Sequence, residues 1–274
     1  MVNVEGDLHM TSGEGEGTYA KYSRRQTIVI HETKPVIEKA TIEVYKAILP
    51  KTMVIADLGC SAGPNTMFFM SYVINIIADH CSKLDEHDPI ELQFFLNNLP
   101  GNDFNQLFRS LEKITNSITT DHMGDLPPSY YISGLPKSYY SRLFPRQSVH
   151  LFHSSYCLHW CSQGLVNKEK LESFNLPIYG PSVDEVKEIV MKSHMFDLDH
   201  MKLFEANWDP YDDSVDDVVH DIASSSQNIT TGIRSVLESL IARQVILEKT
   251  YLMHCFKSLG PLWPNTLRGR RQKI

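Results

Sequence analysis

The stretch Val54-Ile55-Ala56-Asp57-Leu58-Gly59-Cys60-Ser61-Ala62-Gly63-Pro64-Asn65 decides how the rest of the chain is read. A short apolar run ends in Asp-x-Gly-x-x-x-Gly-Pro-Asn, and an amphipathic stretch follows from Met67 to about Ala78. That order predicts a buried strand, a glycine-rich turn and a helix start. Gly59 and Gly63 let the backbone come close to a ligand where a Cβ would collide. Asp57, at the strand end, offers an acceptor for a cationic group or a hydroxyl. The spacing is not G-x-G-x-x-G, so a pyrophosphate on the helix N-terminus is not the natural reading. No G-x-x-x-x-G-K-[ST] occurs, which excludes a P-loop. Taken alone, the turn also fits a plain βα unit of any α/β protein.

With 274 residues the chain can bury a full core, as one large α/β domain or a domain with a small cap. A net charge of -7 argues against a nucleic-acid binder, which would carry a basic face. Cys60, Cys81, Cys157, Cys161 and Cys255 are five, an odd number, with no C-x-x-C and no zinc-type spacing. They read as reduced thiols of a cytoplasmic protein. The first twenty residues carry Glu5, Asp7, Glu14 and Glu16 and no apolar core, so no secretory signal is expected. The most apolar stretch, Phe68 to Ile77, is too short to span a bilayer, and no membrane partner is expected.

Residues 1–24 are polar and glycine-rich and predict an irregular arm, either disordered or folded over a ligand site as a lid. Apolar spacing from Arg25 to Leu49 predicts one or two helices. Ile90 to Leu96 is a second strand, ending in Asn97-Asn98-Leu99-Pro100-Gly101-Asn102-Asp103-Phe104 and launching a helix over Asn105 to Ile118. Tyr130 to Gly134 reads as a third strand and Ser148 to Tyr156 as a fourth, running into Cys157-Leu158-His159-Trp160. Ligands bind at the carboxyl ends of such strands, where Tyr, Ser, His and Trp gather here. Further on, Leu165 to Phe174, Ser182 to Lys192 and Gln227 to Lys249 read as helices, and Phe196 to Ala206 as a strand. A weak sixth strand falls near Tyr251 to Phe256, and residues 260–274 predict a disordered basic tail.

Four stretches together resemble the plant SABATH methyltransferases, named for salicylate, benzoate and theobromine enzymes. They are Leu8-His9-Met10 with Thr18-Tyr19-Ala20 and Gln26; Asp57 to Asn65; Leu96 to Asn105; and Phe152 to Trp160. The likeness covers residues 1–163, resumes at Gly164 with Phe174-Asn175-Leu176-Pro177, and runs to about Arg243. It implies a Rossmann-like α/β methyltransferase fold that binds S-adenosylmethionine. It also implies methyl transfer to a small carboxylic acid such as salicylate or benzoate, or in some members to a ring nitrogen. The domains expected are an arm and cofactor-binding half over 1–163, a remnant of cap and C-terminal half over 164–259, and the tail.

Carried over by position, the resemblance assigns the cofactor to Tyr19, Ser23, Asp57, Cys60, Asn65, Asn98, Leu99, Ser138, Tyr139 and Cys157. It assigns the substrate to Tyr19, Gln26, Tyr156, His159 and Trp160. Some relatives bind magnesium through a motif matching Glu172, the Phe174 carbonyl and Asn175. A homodimer is compatible with this reading. No general acid or base is required, because a carboxylate is ionised at neutral pH and needs only alignment and exclusion of water. Gln26 and Trp160 are neutral donors that can orient it without an opposing guanidinium. Outside this setting Trp160 reads as an ordinary core aromatic and His159 as a satisfied buried histidine.

Three features depart from the family pattern. Asn98 stands where Asp is usual, offering one neutral acceptor to the ribose hydroxyls in place of a charge. Tyr139 replaces Phe. After Ser162-Gln163 the cap region and a further sheet strand are missing, and the likeness fades past Val245, whose last sheet strand is not found. The expected sheet is therefore incomplete and the helical cap reduced. A catalytically inactive truncated paralogue or splice form is the second reading, and a nicotinamide-dependent oxidoreductase a third that the missing G-x-G-x-x-G disfavours.

Overall fold

Strand β1, Thr52–Leu58, lies inside a four-stranded parallel sheet in this computed structural model. The structure describes residues 9–13, 15, 17–84, 90–111, 127–157, 180–212, 221–245 and 272–273. Two compact bodies are recognised. One comprises residues 3–155 and 231–252, the other 1–2, 156–230 and 253–274.

In the first body, helix α1 (Tyr19–Tyr22) and the 25-residue helix α2 (Arg24–Ile48) precede β1. α2 is one helix although Pro35 lies within it, where a missing N–H and a ring clash ordinarily break the helix. It stops at Leu49, which adopts the left-handed region (φ 48°) and returns its N–H to the Tyr45 carbonyl. Helix α3 spans Asn65–Leu84, longer than the Met67–Ala78 periodicity suggests. Then come β2 (Glu91–Asn98), the short helix α4 (Phe104–Ser110), β3 (Ser129–Pro136) and β4 (Leu151–Ser154). The sheet order is β3-β2-β1-β4, with every neighbour parallel.

Alternation along β1 and β2 explains the core. Met53, Ile55, Leu92, Phe94 and Leu96 are fully buried, as are Met70, Val73, Ile74 and Ile77 of α3. Each such side chain contributes about 1.5–3 kcal/mol on leaving water. Among the described residues the opposite face is poorly covered. Phe95, Phe144 and Phe152 form an edge-on aromatic row with centroids 5.4 and 5.8 Å apart, and Phe152 stays 54% exposed. Parallel sheets are normally covered on both faces. Among the described residues the sheet has four parallel strands and one well-packed face.

The second body contains helix α5 (Val183–Ser193), opened by a capping box between Ser182 and Glu185. None of its residues is buried, and Ile189, Met191 and Phe196 are exposed. The strand expected over Phe196–Ala206 is reduced to β5, Glu205–Ala206. It pairs antiparallel with β6, Gln272–Lys273, inside the segment expected to be an irregular tail. Asp209 knits this body locally, accepting from Ser225 Oγ (2.6 Å), Asn228 Nδ2 (3.1 Å) and the Tyr211 N–H (3.0 Å). Helix α6, Ile222–Val245, starts five residues earlier than its periodicity suggests, and the division between the bodies falls within it, after Thr230. The helix expected over Leu165–Phe174 and the strand near Tyr251–Phe256 lie outside the described residues. Among the described residues no helix is long and apolar enough to cross a membrane.

Candidate cofactor site at the strand ends

Strand register gathers the loops that matter. Leu58 of β1 pairs with Asn97 of β2, Asn98 pairs with Pro136 of β3, and Leu58 pairs with Ser154 of β4. The strands therefore stop level, and Gly59-Cys60, Asn98-Leu99 and Ser138-Tyr139 follow at one carboxyl edge. The Asn97 carbonyl accepts from both Gly59 N and Cys60 N at 2.9 Å. Asn98 O accepts from Lys137 N at the same distance, so the three loops are tied together. Asn97 itself is fully buried and donates to the Leu135 and Lys137 carbonyls, at 2.9 and 2.7 Å.

The motif turn uses its special residues. Gly59 has φ 76°, where a side chain would be strained, and Ser61 accepts that region at φ 60°. Gly63 is needed for space. A Cβ there would lie 3.0 Å from Tyr19 Cδ1 and 3.3 Å from Ser23 Oγ. The arm's Tyr19, 6% exposed, thus packs directly on the turn.

Asp57 is 4% exposed at the end of β1. Oδ2 accepts from Thr66 Oγ1 at 2.5 Å, and Oδ1 from His153 Nδ1 of β4 at 2.7 Å. A carboxylate can only accept, so the His153 proton sits on Nδ1. The His153 ring stacks on Phe69 of α3, with centroids 3.9 Å apart and planes 11° off parallel. Asp57 therefore meets a hydroxyl and an imidazole of its own chain, and each oxygen keeps a further lone pair.

Ser23 Oγ, Ser61 Oγ and Asn65 Nδ2, in or against this turn, are buried and have no hydrogen-bond partner among the described residues; neither has Gln26 Oε1 on α2. Asn65 Oδ1 accepts from Thr27 Oγ1 at 2.7 Å, which fixes its amide and leaves Nδ2 over. Buried polar groups are ordinarily bonded, so a cluster of spare donors and acceptors suits the polar end of a bound ligand. Asn98 is half-buried, and its Oδ1 already accepts from Leu99 N (2.9 Å) and Asn102 Nδ2 (3.0 Å). Its Nδ2 remains the group it can offer to a ribose hydroxyl.

The glycine-rich arm is held down. Gly13 exchanges two hydrogen bonds with Gln106, Met10 N donates to Asn102 Oδ1 (3.1 Å), and Thr11 N donates to Ser235 O (2.9 Å). His9 N donates to Ser239 Oγ (3.3 Å), which donates back to His9 O (2.5 Å). The described arm residues 9–13, 15 and 17–23 are thus folded against the first body.

The structure thus brings Tyr19, Ser23, Asp57, Cys60, Asn65, Asn98, Leu99, Ser138 and Tyr139 into one body, with Gln26 on α2. Tyr156 (φ 58°) and Cys157 follow β4 but belong to the other body. His159, Trp160, Glu172, Phe174 and Asn175 lie outside the described residues. Among the described residues no cluster of three or more His, Cys, Asp or Glu could hold a metal. Among the described residues, Cys60, Cys81 and Cys157 form no disulfide. A cleft of about 860 Å³ opens instead between α2, α3 and α4, beside Gly63 and Pro64. Ala20, Ala62, Gly63 and Pro64 of the motifs line it, but none of the candidate site residues does. Thr66, His153 and Gln106 were not singled out as site residues. For His153 a signal existed: a polar residue just short of the carboxyl end of an apolar strand needs a buried partner.

The sequence matches the family described as SAM dependent carboxyl methyltransferase over residues 5–164 and 161–273. The second segment runs past Val245, where the motif likeness ends. Anthranilate O-methyltransferase 2 of Zea mays is 39% identical over 343 aligned positions, covering 91% of this chain and 92% of that one. Benzoate O-methyltransferase of Zea mays is 41% identical over 378 positions, covering 100% and 97%. That alignment takes in all 274 residues, so at least 104 of its 378 positions have no counterpart here. The two family segments meet at 161–164, which puts the missing block just after β4. A solved structure, loganic acid methyltransferase with SAH, superposes with a TM-score of 0.70 at 20% identity, covering 94% of this chain and 93% of that one, and so shares the fold. The two-part family match and these relatives make the chain a member of the S-adenosylmethionine-dependent carboxyl methyltransferases, the SABATH type, with an internal block missing.

Proposed function

We propose that the protein methylates the carboxylate of a small aromatic acid of the benzoate or anthranilate kind, giving the methyl ester. The observation that carries this reading is the family match on both sides of the break, over residues 5–164 and 161–273. The names of relatives 39% and 41% identical supply the substrate class.

S-adenosylmethionine, when bound, supplies a sulfonium methyl that an ionised carboxylate can accept. The chain's residues then bind, align and keep water out. Ser23, Asp57, Cys60 and Asn65 are suited to the charged methionine end, through the spare buried atoms of Ser23 and Asn65 and the Asp57 lone pairs. Asn98 with Leu99, and Ser138 with Tyr139, serve the next strand ends, where sugar and base would follow. Tyr19 covers the turn. Gln26, through its amide Nε2, is the neutral donor suited to orient the substrate carboxylate; the resemblance adds Tyr19, Tyr156, His159 and Trp160 as substrate residues.

The test is transfer of labelled methyl from S-adenosylmethionine to benzoate and to anthranilate by the purified chain. Extractable labelled ester is the expected result, and none from a folded sample rejects the reading. A second reading, an inactive member that still binds cofactor, is favoured by the 104 or more unmatched positions and by Asn98. Binding of S-adenosylhomocysteine without any methyl transfer is its signature.

A further inference from the structure

We infer that His153 and Thr66 form a clamp that aims the Asp57 carboxylate at the cofactor's methionine end, making His153 a positioning residue for cofactor binding. The inference rests on the proposed cofactor role of Asp57 and deepens it. Three elements meet at this carboxylate. Asp57 ends β1, Thr66 opens α3 and His153 lies on β4, paired with Asp57 in register. Bonds of 2.5 and 2.7 Å to separate oxygens fix the carboxylate plane. The His153 ring is fixed in turn by its stack on Phe69, which is 1% exposed. A carboxylate on a single bond can rotate; one held at both oxygens cannot do so without losing a charge-assisted hydrogen bond. Its free lone pairs are thus preset in direction before any ligand arrives, which lowers the ordering cost of binding.

This clamp differs from mere packing in a testable way, because stacking and hydrogen bonding can be separated at His153. His153→Phe keeps a ring against Phe69 and removes the donor. His153→Asn gives up the ring but places an amide N–H close to the Nδ1 position. Thr66→Val removes the other donor at nearly constant shape and leaves β4 untouched. Affinity for S-adenosylhomocysteine is measured by calorimetric titration of the full chain, with the thermal transition of each variant alongside. His153→Phe is expected to bind about tenfold or more weakly while still melting cooperatively. His153→Asn is expected to stay within about threefold of the parent, and Thr66→Val to lose several-fold. Parent-like affinity in His153→Phe overturns the inference and leaves the functional reading standing. If that variant does not fold, parent-like affinity in Thr66→Val overturns it equally. Rescue of folding but not of affinity by His153→Asn also overturns it, because the ring rather than the donor would then be what matters. A folded parent chain that does not bind at all rejects the functional reading itself, and the inference with it.

Discussion

Gln106 and Gly13, 93 residues apart, face each other through two hydrogen bonds: Gly13 N donates to Gln106 Oε1 at 2.8 Å, and Gln106 Nε2 donates to Gly13 O at 2.6 Å. One side-chain amide thereby mimics a strand neighbour for a glycine-rich arm that has no periodicity of its own. Asp103, the N-cap of α4, accepts from Gln106 N at 2.9 Å and sets the turn from which Gln106 projects.

Replacing Gln106 by Ala is expected to loosen the arm. Two bonds are lost, about 1–3 kcal/mol in all. Limited proteolysis should cut within residues 9–23 faster than in the parent, while the rest of the first body stays resistant. Unchanged cleavage would mean that the contacts to Asn102, Ser235 and Ser239 hold the arm without it.

Gly63→Ala tests the close approach of arm and turn. The new Cβ meets the Tyr19 ring at 3.0 and 3.1 Å and Ser23 Oγ at 3.3 Å, so one of them must move. Overpacking of this kind costs about 1–3 kcal/mol. S-adenosylhomocysteine affinity should fall by more than the stability change alone accounts for, because Tyr19 and Ser23 are themselves displaced.

Asn98→Asp is expected to strengthen cofactor binding. Leu99 N and Asn102 Nδ2 both donate to Asn98 Oδ1, and an Asp keeps both while gaining a charged second acceptor in place of Nδ2. A charged hydrogen bond is worth about 1.5–3 kcal/mol, or about ten- to a hundredfold in affinity. Calorimetry with S-adenosylhomocysteine reads the difference, and a weaker complex would count against a ribose at this position.

Burial raises the Tyr72 phenol above the ordinary tyrosine range, since the phenolate is the form that loses hydration. The folded state then holds this proton when the unfolded chain has begun to release it. The associated stability is intact below about pH 10 and declines as pH rises through the folded-state value. Tyr72→Phe should flatten that decline in urea unfolding midpoints above about pH 10. It also removes the Tyr72 bond to His31, which shifts the curve without changing its slope.

Much of the framework around the candidate site was legible because its signals are local. Gly59 and Gly63 mark a turn by backbone freedom and by space. The apolar run Ile90 to Leu96 reads as a strand and Ser182 to Lys192 as a helix, and the structure has β2 over Glu91–Asn98 and α5 over Val183–Ser193. The reading over Phe196–Ala206 overreached, because apolar residues alone predict a strand only where a neighbour exists to pair with. There β6 pairs with just Glu205 and Ala206. The exposed residues of α5 carry a related lesson, since a correct helix signal does not say what covers the helix.

By itself the sequence determined the strands and helices around the motif turn, that the turn after β1 is shaped for close approach, and which family it descends from. Those are consequences of residue chemistry within about ten positions, together with motif identity. Only the tertiary structure decided that Asp57 meets His153 across 96 residues, that Gln106 holds Gly13, and that Asn98 already spends its oxygen on Leu99 and Asn102. Parallel strand register has no local signature. It is set by which faces must be buried together, and that is settled only when β1, β4 and α3 close on one another.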